Sequence, residues 1–165
     1  METMFKLREA TKESPRDRAI IETLFYTGVR VSELINILLE DIRWNGHQIW
    51  IRNGKGNKER FVLFTSDCGA RITRYLDLRA DNSPYLFVTR LGKPFTRQGI
   101  HKIIKMYAEK ANINQNVTAH SFRHTFATEL ALRGFPYEYI SELLGHKNLN
   151  NARIYTKLIS SIKKR

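Results

Sequence analysis

Cysteine is almost missing from this chain: Cys68 is the only one among 165 residues. That excludes an internal disulfide framework and any zinc site built from several thiolates. Long hydrophobic runs are absent too, and nothing approaches the roughly 20 apolar residues that span a bilayer. The opening segment METMFKLREATKESPRDR lacks the apolar core of a secretory signal. Acidic residues are scarce, 16 against 28 Lys and Arg, which leaves a formal net charge of +12 and a pI near 10.0. No internal repeat, low-complexity tract or Pro/Gly/Ser-rich linker divides the sequence, so one domain over 1–165 is expected. What remains is 42% hydrophobic and 11% aromatic, enough to build a core. A surplus of positive charge on a small folded domain points to a polyanion, most often nucleic acid, with an acidic membrane face as the other standard explanation. The expectation is a soluble cytoplasmic protein.

Ser14-Pro15 reads as an N-cap followed by proline at the first helical position, and the apolar spacing of Ala19, Ile20, Leu24 and Phe25 carries that helix to Gly28. A short helix fits Val31 to Leu38. The period then changes to two. Residues 42–44 and 48–52, joined at Asn45-Gly46, predict an antiparallel pair. A glycine-bracketed turn at 53–58 leads to a third strand over 60–64. Helices are predicted near 67–79, 96–111, 119–133, 137–144 and 148–158, with a short extended piece at 85–88. The fold class is α+β: mainly helical, with a small three-stranded antiparallel β-meander.

Basic residues cluster. Arg43, Arg52, Lys55, Lys58 and Arg60 oppose a single acid over 43–60, and Arg90, Lys93, Arg97, Lys102, Lys105 and Lys110 oppose another over 90–110. The last ten residues hold four basic side chains and no acid. One cluster is ordinarily a solvated face; three suggest a groove facing DNA, with Arg43, Arg52, Lys58, Arg60, Arg97 and Lys102 as candidate contacts.

Particular residues carry more. Arg30 stands at a helix–helix corner, with Glu33 near enough to orient it. Lys55 sits between Gly54 and Gly56 at a hairpin tip, where a flexible ammonium can reach a phosphate. This is not a nucleotide-binding P-loop, because its motif is missing and the turn joins strands. On a helix, His120, Arg123 and His124 share one face, while Phe122, Phe126 and Leu130 take the other. Zinc on the two histidines is disfavoured, since Ser121 stands where a metalloprotease needs glutamate. His146 follows a glycine cap, and Tyr155 lies nine positions later. Spacing alone does not promote Tyr155 over Tyr107 or Tyr139. Two arginines can grip the nonbridging oxygens of a phosphodiester, histidines and a lysine can move protons, and a tyrosine can attack phosphorus. Such a set works without a metal or cofactor.

The motifs Thr27-Gly28-Val29-Arg30-Val31-Ser32-Glu33-Leu34, Gly54-Lys55-Gly56-Asn57-Lys58-Glu59-Arg60, His120-Ser121-Phe122-Arg123-His124 and Leu144-Gly145-His146, then Tyr155, occur in one order. In that order the chain closely resembles the catalytic domain of the tyrosine recombinases, the phage-integrase family, from about Ser14 to Lys157. The resemblance implies that Arg30 and Arg123 clamp the scissile phosphate and that Lys55 protonates the 5′-hydroxyl leaving group. It makes His120 an acid/base histidine, His146 a phosphate contact that packs the site, and Tyr155 the nucleophile that forms a 3′-phosphotyrosyl link. Glu33 falls at the family's supporting acidic position, and His124 is placed beside the active site. It further implies double-stranded DNA as partner, a homotetramer on two DNA sites for a full-length enzyme, and a monomer for an isolated domain. About a dozen residues precede the first helix of the pattern, so the family's N-terminal core-binding domain is expected to be missing. The competing readings are type IB topoisomerase-like strand relaxation and a non-enzymatic DNA-binding regulator.

Overall fold

The computed structural model describes residues 2–52 and 59–143. Its central element is α2 (Pro15–Thr27), opened by the Ser14 hydroxyl accepting from the Asp17 amide at 3.3 Å. Ala19, Ile20, Ile21, Leu24 and Phe25 are all buried, so α2 is covered around most of its circumference. Its polar side chains are matched internally. Thr23 and Thr27 return their hydroxyls to the carbonyls of Ala19 and Thr23, at 2.7 and 2.6 Å. Glu22 accepts from Arg8 Nε at 2.6 Å and Arg18 Nε at 3.1 Å. Asp17 accepts from the Tyr107 hydroxyl at 2.5 Å.

Around α2 lie α1 (Glu2–Ala10), α3 (Val31–Leu34), α4 (Ser66–Asp77), α5 (Arg97–Lys110), α6 (Ala119–Leu132) and α7 (Tyr137–Leu143). The sheet is β1 (Ile42–Arg43), β2 (Gln48–Ile51) and β3 (Arg60–Leu63), antiparallel throughout and in chain order. Helices α4 and α6 pack on α2, α1 packs on α5, and α7 reaches α6 and β3. Thr65, Thr96 and Thr118 each cap the helix that follows through a hydroxyl accepting a backbone N–H. Among the described residues no helix is long and apolar enough to cross a membrane.

The α+β architecture matches the sequence pattern, with three local differences. The segment before Ser14 forms a helix, because burying Met4 and Leu7 supplies the stability that its weak local signals do not. Helix α3 stops at Leu34 rather than Leu38. Leu38 is extended, bridging Tyr85, and its amide donates to Asp41 Oδ2 at 3.0 Å. The first hairpin is not a two-residue Asn-Gly turn. Arg43 pairs with Gln48, leaving 44–47 as the loop, and His47 rather than Gly46 takes the positive φ of 51°. The predicted helix over 148–158 lies outside the described residues.

Candidate active site

The corner between α2 and α3 places the first site residue. Gly28 takes φ 69°, a left-handed conformation that suits glycine, and its N–H closes α2 on the Leu24 carbonyl. Two residues on, the Arg30 amide donates to Glu33 Oε1 at 2.8 Å and starts α3. The turn of Gly28 also frees its carbonyl to accept from Arg123 Nη1 at 2.6 Å, across 95 positions of sequence. One corner therefore sets both arginines.

Arg123 reaches it from α6, whose opposite side buries Phe122 and Leu130, with Phe126 partly buried. The Arg123 side chain is itself buried. Burial, then the neighbouring Arg30 and Arg60 guanidiniums, push its pKa down to about 10, while Glu33 pulls the other way. It remains a cation at neutral pH, held where a cation is disfavoured.

Glu33 is the counterweight. Its carboxylate is buried and accepts from Arg60 Nη1 at 2.6 Å and Nη2 at 3.1 Å, with Arg30 Nη1 at 3.9 Å. Burial alone would raise its pKa; the Arg60 fork, then Arg30, more than reverse this and hold it below the usual carboxylate range. The expected supporting acid is thus a buried brace between two arginines.

That geometry corrects one expectation. Arg60 is not a surface contact for DNA: it is 2% exposed and committed to Glu33. It pairs with Ile51 across the sheet and shares the inward face with Val62, since strand side chains alternate. Arg52 is exposed but already engages Asp41 at 2.7 Å and Glu40 at 3.1 Å. Arg43 is exposed with its guanidinium 4.8 Å from the Phe61 ring centre.

Arg30 and Arg123 open onto a pocket of about 480 Å³, lined also by Val31, Ser32, Arg97, His101, Ala119 and His120. His120, Arg123 and Arg30 thus come together as expected. Arg97 joins them, having been read only as a contact on a basic stretch, whereas exposed Lys102 and His124 are not among the lining residues. His101 was missed altogether. Its signal was available, because it lies four residues after Arg97 on the same helical face. Among the described residues no carboxylate lines this pocket. Lys55, Lys58, His146 and Tyr155 lie outside the described residues. Among the described residues no three His, Cys, Asp or Glu side chains gather as metal ligands would. The lining groups can instead grip a phosphate: guanidiniums offer paired donors to its oxygens, and imidazoles donate or exchange a proton.

A helical domain with a three-stranded meander and an arginine-lined pocket at the α2–α3 corner has the tyrosine recombinase catalytic fold. The structure superposes on a crystal structure of XerA recombinase with a TM-score of 0.84 and 35% identity, covering 99% of this chain and 61% of that one. XerH recombinase bound to its difH substrate before cleavage gives a TM-score of 0.73 at 26% identity, covering 93% and 48%. By sequence, the tyrosine recombinase XerA of Pyrococcus horikoshii is 40% identical over 146 residues, 87% of this chain and 50% of that protein. The phage integrase family model matches residues 1–161, and the chain belongs to that family. It spans about half the length of the relatives it matches.

Proposed function

We propose that this chain carries the catalytic centre of a site-specific DNA recombinase, which cuts and rejoins strands through a covalent 3′-phosphotyrosyl intermediate. The observation that carries the reading is the convergence of Arg30, Arg123 and His120, from two separate parts of the sequence, on one pocket that no acid lines among the described residues. Relatives it matches by sequence are tyrosine recombinases, and XerH was solved bound to its difH substrate.

In this reading the scissile phosphate sits against Arg30 and Arg123, which gain most as negative charge builds on the nonbridging oxygens. Both are preset by the Gly28–Glu33 corner, so little reorganisation accompanies the reaction. Tyr155 Oη attacks phosphorus, its proton passing to a nearby base for which His120 is the candidate. The P–O5′ bond breaks, and the leaving oxygen takes a proton from Lys55. Attack by another 5′-hydroxyl reverses these steps and releases Tyr155. One phosphodiester replaces another, so no nucleotide hydrolysis is required. A phenol ordinarily titrates near pH 10, and a cation-rich site favours the phenolate the attack needs. The roles of Lys55, His146 and Tyr155 rest on the family motif. Double-stranded DNA is the substrate, the protein acts in the cytoplasm in association with the nucleoid, and the full-length enzyme works as a homotetramer on two DNA sites.

The test is trapping on nicked duplexes carrying a 5′-bridging phosphorothiolate, using a pool of candidate sites. A covalent protein–DNA band with wild type and none with Tyr155→Phe is expected. Binding without any band, even after a core-binding domain is joined to the chain, would favour the non-enzymatic regulator. Relaxation of supercoiled DNA without strand exchange would favour the topoisomerase reading.

A further inference from the structure

We infer that His101 is a second backbone-phosphate ligand of the pocket, holding in its protonated form a DNA phosphate beside the one gripped by Arg30 and Arg123. The inference deepens the proposed DNA-cleaving function and rests on it.

Three observations lead there. First, the pocket, at about 480 Å³, is far larger than one phosphate group and so has room for a neighbouring part of the strand. Second, His101 and Arg97 stand one turn apart on α5, about 6 Å along its axis, and both line the pocket. The opposite face of that helix is buried through Ile100, Ile103, Ile104 and Tyr107, so the core fixes the helix that carries His101. Third, among the described residues every charged or titratable group that lines the pocket with His101 is basic: Arg97 from its own helix, Arg30 from the α2–α3 corner, and His120 and Arg123 from α6. Among the described residues this imidazole has no pocket carboxylate to serve. Its complementary charge comes from the ligand.

Histidine changes charge between pH 5 and 8, so this contact makes DNA affinity depend on pH in a way the arginines cannot. A bound phosphate favours the imidazolium, and binding takes up a proton. The chemistry ends with the phosphate group; no base is read.

The experiment measures binding of a mixed-sequence duplex by fluorescence anisotropy, over a salt series, near pH 6 and near pH 8. Wild type is compared with His101→Ala, His101→Lys and, as control, His124→Ala. Near pH 6, His101→Ala is expected to bind roughly three- to tenfold more weakly, with a log–log salt slope smaller by about 0.9. Near pH 8 the loss shrinks below about twofold, His101→Lys restores affinity at both pH values, and His124→Ala matches wild type. Equal binding by His101→Ala and wild type near pH 6 overturns the inference alone. So does a loss independent of pH and not rescued by lysine, which marks a packing role, or an equal loss in His124→Ala. A wild type that binds no DNA overturns the proposed function and this inference together.

Discussion

Replacing Glu33 with alanine tests how the site is held together. The carboxylate is buried, takes both ends of the Arg60 fork at 2.6 and 3.1 Å, and accepts the Arg30 amide at 2.8 Å. Removing it takes both bonds of the Glu33 carboxylate from the buried Arg60 cation near Arg123, whose pKa is already depressed by burial and by Arg30. Breaking a buried pair from one side costs about 3–5 kcal/mol. In a domain of this size each kcal/mol shifts Tm by about 2–4 °C, so Glu33→Ala should lower it by roughly 6–20 °C. Glu33→Gln keeps an acceptor for the Arg30 amide and should lose less. The double variant Glu33→Met/Arg60→Met removes both charges and should recover more than half of the alanine loss, because an apolar pair carries no uncompensated cation. The pH dependence has a definite sign: Glu33 titrates lower folded than unfolded, so its contribution is complete above the unfolded carboxyl pKa and fades on acidification through the lowered one. Chemical and thermal unfolding of the variants is the assay. A loss below about 1 kcal/mol for Glu33→Ala, or no recovery in the double variant, would refute the brace.

Arg30→Ala and Arg123→Ala should each leave the fold standing and reduce single-turnover cleavage by about 10²–10³-fold or more, the double variant falling short of the product. For Arg123, loss of its bond to Gly28 costs about 1–3 kcal/mol, and relief of the crowded cations offsets part of it; unfolding curves check the net. Inorganic phosphate at about ten times its Kd should stabilise wild type by about 1.4 kcal/mol, and a thermal melt that responds to phosphate equally in Arg123→Ala would count against the pocket. Tyr107→Phe removes a hydrogen bond to Asp17 and should cost about 1.5–3 kcal/mol. Burial and then Asp17 raise the Tyr107 phenol to about 12. Its contribution is therefore whole below pH 10 and lost as pH rises through about 12, which an alkaline unfolding series reads.

The helices and strands were legible where local signals agreed with burial. Ser14-Pro15 and Gly28 bound α2 as expected, and the period-two stretches became the meander. Helix α1 was not legible, because its stability comes from docking Met4 and Leu7 on distant core residues. Asn45-Gly46 misled on turn length: the loop takes four residues, and His47 carries the left-handed conformation instead of glycine. At the site, Arg30, Glu33, His120 and Arg123 were legible as motifs. Arg60 was misread because linear charge counting ignores pleat direction; alternation with Val62 turns it inward. The union of Arg97 and His101 with Arg30 depends on α5 crossing the α2–α3 corner, which no local pattern announces.

The central claim is that Tyr155 forms the bond to DNA, and identifying the linked residue tests it most directly. The trapped complex would be digested with nuclease and trypsin and read by tandem mass spectrometry. Cleavage after Arg153 and Lys157 isolates Ile154-Tyr155-Thr156-Lys157, which contains one of the seven tyrosines in the chain. The account predicts a nucleotide adduct on that peptide, localised to Tyr155 and absent from Tyr155→Phe. An adduct on Tyr107, Tyr139 or any other residue would contradict it.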